Sequence, residues 1–535
     1  MARPYFATTA ALAIFAATAA PAQETPGAEP AAQTVPEPDG GVITKQYEDG
    51  GVYEGTFRDG RQHGQGTYRL PNGYVYTGDW VEGEIRGNGI AEFPNGSVYE
   101  GQFAAGKPEG IGKITFADGG TYEGQWTDGK ITGEGIAEYA NGVIYEGGFL
   151  NAAHHGTGTM RAPSGYVYTG DWLNGTKEGS GTITYADGST YEGELKGDER
   201  NGQGTLTLPD GFSYTGTFVS GEIEGQGTLT QPNGDIYEGT LTAGKREGEG
   251  RMTYANGDVY EGTFSGDRRH GTGTFTGADG FRYTGDWAEG RIAGEGEATY
   301  PDGSVYVGTF ADDVAHGEGK ITYANGATYQ GNWVEGVIDG EGTATYDGGI
   351  VYTGGFRAAQ NHGFGVMVYP DGYRYEGEWS EGQREGQGIA TYADGTVYEG
   401  DFLAGRRHGQ GTITMPGGFT YTGDWRDGEM SGQGIATYAN GDVYEGTFEN
   451  GRRSGEGTMR FASGEEATGE WTDGVLATSA SAEGEEAPET PTPAEAPSDA
   501  AVPDDPAPET EAADTEGSED APQPETTEES VPESN

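Results

Sequence analysis

Cysteine is absent from this chain of 535 residues, which excludes disulfides, thiolate metal sites and a lipid-bearing cysteine. Helical periodicity is absent as well: with 102 glycines, no segment runs far without an interruption that a helix interior would not tolerate. Long apolar runs are missing apart from residues 7–20, and that stretch is shorter than the ~20 residues a membrane-spanning helix needs. Basic residues are scarce, 30 Lys and Arg against 87 Asp and Glu, for a net charge of -57. So acidic a chain lacks the clustered cations that nucleic acid demands, and bulk charge would not hold it to an anionic membrane.

What is present begins with the ends. The stretch "MARPYFATTAALAIFAATAAPAQ" carries one early basic residue, Arg3, then the apolar run, then a small-x-small site at Ala20-Pro21-Ala22. That is the arrangement of a cleaved secretory signal, with the mature chain expected to begin at Gln23 outside the inner membrane, in the periplasm, the cell envelope or secreted. The tail, residues 477–535, has 18 acidic residues, no Lys or Arg and no aromatic, so it cannot bury enough apolar surface to order itself. A shorter Pro/Glu segment, residues 23–40, resembles it.

Between them lies one sentence said many times. With the Tyr of Tyr-x-Gly as position 1, it recurs from Tyr53 and Tyr76 through Tyr421 and Tyr444, every 23 residues, 18 times without an insertion. The expected organisation is a signal peptide (1–22), a linker (23–40), a half-repeat cap (41–52), eighteen repeats (53–466), a second half-repeat cap (467–476) and the acidic tail (477–535). Within a repeat, positions 1, 3 and 5 are Tyr, Gly and an aromatic, while positions 2, 4, 15 and 17 are mostly polar. Such period-two alternation means strands with one covered face. Asn-Gly or Asp-Gly at positions 20 and 21, as in Asn440-Gly441, is a turn signal. Each repeat is thus expected to be two strands of 5–7 residues joined by a six-residue loop. The fold class follows: all-β, an elongated, twisted, single antiparallel sheet of tandem 23-residue β-hairpins, on the order of 170 Å at ~4.8 Å per strand. Strands that short, and a Gly-punctured aromatic face, argue against an outer-membrane barrel.

The core is legible as volume. Where position 5 is Trp, as in Trp425, position 16 of the same copy is Ala, as in Ala436, except for Ile183 beside Trp172; where position 5 is Phe or Leu, position 16 is never Ala. This compensation places the aromatics in one packed layer rather than in ligand cages. Tyr444, Gly446, Phe448, Gly455, Gly457, Trp425 and Ala436 are the expected structural core of the last copies.

The run "YEGTFENGRRSGEG", residues 444–457, resembles the membrane occupation and recognition nexus (MORN) repeat, with its Tyr-x-Gly, following aromatic, glycine-bearing loop and Gly-x-Gly. The likeness holds through all 18 copies in phase. It implies a sheet used for protein contacts, self-association or lipid headgroups, of the exported bacterial kind here given the signal sequence.

No catalytic, cofactor or metal site is expected. Gly-x-Gly opens no helix and lacks the third glycine and acidic partner of a dinucleotide site. Six of the seven histidines fall at position 11, two repeats apart in the later copies and too far from one another for one metal. Fifteen of the 30 Lys and Arg occupy positions 9 and 10. If those positions form a loop on one sheet edge, they make an interrupted cationic rail. Arg384, Arg406, Arg407, His408, Arg452 and Arg453 are then the candidate edge for an anionic lipid or glycan, and carboxylates at position 7, such as Asp427, are its candidate counter-charges. The leading expectation is a non-enzymatic exported scaffold with a protein partner or its own copies bound along the repeat surface.

Overall fold

The computed structural model describes residues 41–477; the signal, linker and tail readings concern residues 1–40 and 478–535, outside the described part. Among the described residues the chain is all-β: one open antiparallel sheet of 39 strands and a single 3-10 turn at Asp347–Gly349. It forms two compact units, whose described parts are residues 41–255 and 256–477. Within each, every strand pairs antiparallel with the next in sequence.

One repeat shows the plan. A leading strand of seven residues, Val443–Glu449, turns into a returning strand of nine, Arg452–Arg460. The connection is two residues, not six: Asn450 and Gly451 both have positive φ, 48° and 76°, which is the two-residue hairpin turn whose twist suits β-strands. Positions 9–11, expected in a loop, therefore lie on the returning strand. That strand is also longer than expected, so length does not argue against a barrel; openness does, since Ile43–Gln46 and Val475–Leu476 each have one partner strand.

The second connection, positions 18–22, is where the Asn-Gly signal belongs. Gly441, at φ 92°, donates to the Tyr438 carbonyl at 2.9 Å, and Tyr438 donates to the Asp442 carbonyl at 2.9 Å. Only the glycine takes positive φ. Asn440 serves through its side chain, whose Oδ1 accepts the Asp442 N–H at 3.1 Å.

The two strands of a repeat are unequal because of a bulge. Register runs Gly446↔Gly457 and then Phe448↔Arg453, so two steps on the leading strand face four on the returning one. Gly455 sits at the bulge with φ 61°. Its requirement is the left-handed backbone, whereas Gly457 is required for room: a Cβ there would run into the Tyr444 ring. The bulge frees a backbone N–H at position 13, and position 4 takes it up: Gln433 N–H donates to Asp424 Oδ2 at 2.7 Å, and Gln410 N–H to Asp401 Oδ2 at 2.8 Å.

Glycines at positions 3 and 14 pair in a continuous row, Gly423↔Gly434↔Gly446↔Gly457↔Gly469. The tyrosines lie over that row. Tyr444 is fully buried, its hydroxyl donates to the Thr447 carbonyl at 3.2 Å, and its ring meets Phe448 and Trp471 edge-on, each at 5.2 Å. Burial pushes its phenol up to about 12. Trp471 completes the layer by donating its indole N–H to the Gly457 carbonyl at 3.1 Å. The expected core residues Tyr444, Phe448, Trp425 and Ala436 are all buried. Tyr421 joins the last two: it meets Trp425 edge-on at 5.4 Å and is the Cα partner of Ala436.

Candidate functional site

The two-residue turn reorganises the basic edge. Position 10 is the partner of position 5, as in Phe402↔Arg407, Trp379↔Arg384 and Phe448↔Arg453, so it turns onto the covered face; position 9 turns away from it. The expected rail is thereby corrected. Arg384, Arg407 and Arg453 are 3%, 3% and 6% exposed, and cannot meet a partner at the surface. Arg406 and Arg452 are exposed, and His408 is half-buried on the bulge.

The buried guanidinium groups are part of the aromatic layer. Arg407 lies 5.0 Å from the Trp425 ring centre, Arg453 lies 4.8 Å from Trp471, and Arg269 lies 4.3 Å from Trp287. Desolvated contacts of this kind contribute about 2 kcal/mol each. Their hydrogen bonds reach forward along the chain: Arg384 Nη2 donates to the Gly405 carbonyl at 2.7 Å and Arg453 Nη2 to the Gly474 carbonyl at 2.8 Å, in both cases the turn of the next repeat. Arg384 Nη1 also donates to the Tyr373 hydroxyl at 2.5 Å. Beside Arg453, burial raises the Tyr438 phenol, and the cation partly offsets that rise. These arginines bind their own repeats to the next.

The outward cations at position 9 also reach forward, to carboxylates at position 7 of the next copy. Lys107 meets Asp128 at 2.5 Å, Arg291 meets Asp312 at 2.9 Å, Arg268 meets Glu289 at 3.7 Å and Arg452 meets Asp473 at 3.8 Å. Lys107 holds the Asp128 carboxyl below the usual range through its hydrogen bond and charge. The edge is thus an alternation of charges, and position 7 supplies the counter-charge the sequence suggested.

Position 11 has a third role. Its side chain accepts the N–H at position 7 of the next repeat: Glu385 Oε2 from Ala404 at 3.1 Å, Glu224 Oε2 from Ala243 at 2.9 Å, and His316 Nδ1 from Glu335 at 3.4 Å. Histidine stands there as one acceptor among several. The adjacent His154 is at position 10 and differs from the others. It stacks on Tyr145 at 3.7 Å, its Nε2 is 2.7 Å from the Tyr139 hydroxyl, and burial lowers its pKa to about 4. No group of three or more His, Cys, Asp and Glu suited to a metal occurs among the described residues.

Sequence reasoning missed the inward turn of position 10 because it placed the loop wrongly. The signal was there: Asn450-Gly451 and Asp427-Gly428 at positions 7 and 8 are hairpin-turn dipeptides in their own right.

The opposite face mixes polar residues with exposed isoleucines such as Ile435. Threonine hydroxyls at positions 15 and 2 meet across neighbouring repeats, Thr412 with Thr422 at 2.9 Å and Thr458 with Thr468 at 3.0 Å. The repeat itself is identified by comparison with known proteins. The MORN repeat matches eighteen times in succession, from residues 53–73 to 444–466. The chain belongs to the MORN repeat family. Alsin of Rattus norvegicus is 42% identical over 59 residues, 10% of this chain and 4% of Alsin, so the MORN chain spans a small fraction of that relative. Solved structures that it resembles include the SAS-4 TCP domain of Drosophila melanogaster, 14% identical with a TM-score of 0.18 over 37% of this chain and 88% of that one. Virginiamycin B lyase from Staphylococcus aureus is 10% identical, with a TM-score of 0.10 over 56% and 97%. Scores this low carry neither fold nor function across to the MORN repeats.

Proposed function

We propose that this MORN repeat protein is an exported, non-enzymatic scaffold that binds a protein partner through many equivalent contacts. The observation that carries this reading is an exposed surface built on the repeat, whose threonine pairs and position 9–7 charge pairs come back at multiples of 23 residues. Contacts repeated in register strengthen one another by effective concentration rather than by a single deep pocket. Support for export is the sequence of residues 1–22 alone.

Affinity capture from an envelope extract, with N-terminal sequencing of the cellular protein, tests both parts. The proposal expects a saturable protein partner and a mature N-terminus at Gln23. Capture of lipid or glycan without protein would favour the competing reading, an anionic ligand on the basic edge. That reading now rests on outward cations such as Arg406 and Arg452. Its charge-reversal test is Arg406→Glu with Arg452→Glu, since Arg407→Glu would bury a carboxylate and damage the fold.

A further inference from the structure

The two ends of the described sheet are unfinished, and in complementary ways. At the N-terminal end, Ile43–Gln46 occupies positions 14–17 of a returning strand that has no leading strand before it among the described residues; its one pairing there is with Val52–Arg58. At the C-terminal end, Glu466–Thr472 is a leading strand whose returning strand stops after two residues, with Trp471↔Leu476 and Thr472↔Val475 filling positions 5↔10 and 6↔9. In complete repeats the leading strand also pairs positions 23, 1, 2 and 3 with 17, 16, 15 and 14, as in Val443↔Arg460 through Gly446↔Gly457. The terminal strand lacks those four partners, and the initial strand consists of those four positions.

The side chains match the same join. Wherever a leading strand carries Tyr at position 1, position 14 of its returning strand is Gly, because the ring lies over it; Tyr444 over Gly457 is one case. At the ends both rules lapse together. The terminal leading strand has Ala467 in place of Tyr, and the initial returning strand has Ile43 in place of Gly. A side chain at position 14 has room only where the ring has gone. Gly469, which would face Ile43, is the position-3 glycine with no backbone or tyrosine atom near its Cβ direction; a Cβ there would meet only the tip of Leu476 at 3.0 Å. The most exposed large apolar side chains among the described residues, Val42 and Val475 at 69% each, stand beside the two unfinished strands.

We infer that a second copy of this chain is the partner of the terminal edge, so that Ile43–Gln46 of one molecule completes the last repeat of another. The expected register is Gln46↔Glu466, Lys45↔Ala467, Thr44↔Thr468 and Ile43↔Gly469. Ile43 would fill the space that Tyr fills elsewhere. The contact joins unlike surfaces, so a pair of molecules keeps one free edge of each kind and head-to-tail assemblies can grow further. Four residue pairs make a weak contact, one that responds to concentration. This inference goes beyond the scaffold reading and does not depend on it.

The absence of native cysteine makes the register directly testable in the full-length chain. Two single variants, Thr44→Cys and Thr468→Cys, are mixed under a mild oxidant. The proposal expects a mixed disulfide between the two chains, at least tenfold faster than between Thr44→Cys and the control Thr472→Cys. Sedimentation of the cysteine-free chain should show mass rising with concentration through the micromolar range. Gly469→Val, which displaces only the flexible Leu476 tip in the single chain but occupies the space for Ile43, should abolish the rise while leaving the circular dichroism spectrum unchanged. Concentration-independent mass, equal cross-linking of the two cysteine pairs, or association that survives Gly469→Val would each overturn the proposal.

Discussion

At the scale of single residues, this sheet does with side chains what a second layer does in a sandwich. A tyrosine on the leading strand of each complete repeat lies across two glycines and packs against the position-5 side chains of its own and the next copy, as Tyr444 packs against Phe448 and Trp471, so one face is buried without a partner sheet. Large and small residues must then be matched. Ala436→Met is expected to overpack the site where Tyr421 joins it to Trp425, costing about 1–3 kcal/mol, and Trp425→Phe should restore part of that loss. Thermal melts of both single variants and the double variant check it; additive effects would mean the two sites do not share packing. His154 provides a pH test. It is half-buried and neutral, with a pKa near 4 against about 6.5 when unfolded, so the unfolded segment binds the extra proton first. The stability it permits is complete above about pH 6.5 and falls as pH drops toward 4, by up to ~3 kcal/mol at about 1.4 kcal/mol per unit of pKa. Denaturant titrations across that range should show the loss, and His154→Gln should flatten it.

At the scale of the hairpin, the sequence showed that the chain turns but not where each turn is tight. Asn-Gly at positions 20 and 21 drew attention, although there only the glycine has positive φ. The tighter turn at positions 7 and 8 was hidden because position 7 varies among Asp, Glu, Ala, Ser, Asn and Gly. The two-residue offset of the bulge was hidden as well, since counting alternation along one strand does not reveal how many residues face it. Together these errors placed Arg384, Arg407 and Arg453 on an exposed loop when they lie under the rings. The turn now makes a prediction. Ala404 holds φ at 48°, a conformation that costs alanine about 1 kcal/mol and asparagine less. Ala404→Asn should stabilise its hairpin by up to ~1 kcal/mol in hydrogen-exchange protection. The bulge makes another: Asp424→Ala removes the acceptor of the Gln433 N–H and should cost about 1 kcal/mol, with Asp424→Asn retaining much of it.

At the scale of the molecule, the period of 23, the all-β class and the strand order were all legible, because an uninterrupted repeat admits one register and each neighbour repeats it. The charge edge was legible in composition and not in direction. The scaffold reading makes function on such a surface a matter of number. The most direct test of the scaffold account is therefore to remove whole repeats and measure binding to the captured protein partner. Deleting residues 329–374, two repeats spanning Trp333 and Phe356, keeps the order of Trp and Phe copies and leaves both ends intact. A series of such deletions at different places should lower affinity stepwise with the number removed, whichever repeats are lost. Affinity that is unchanged by every deletion but one, and abolished by that one, would place binding in a single repeat and contradict the account.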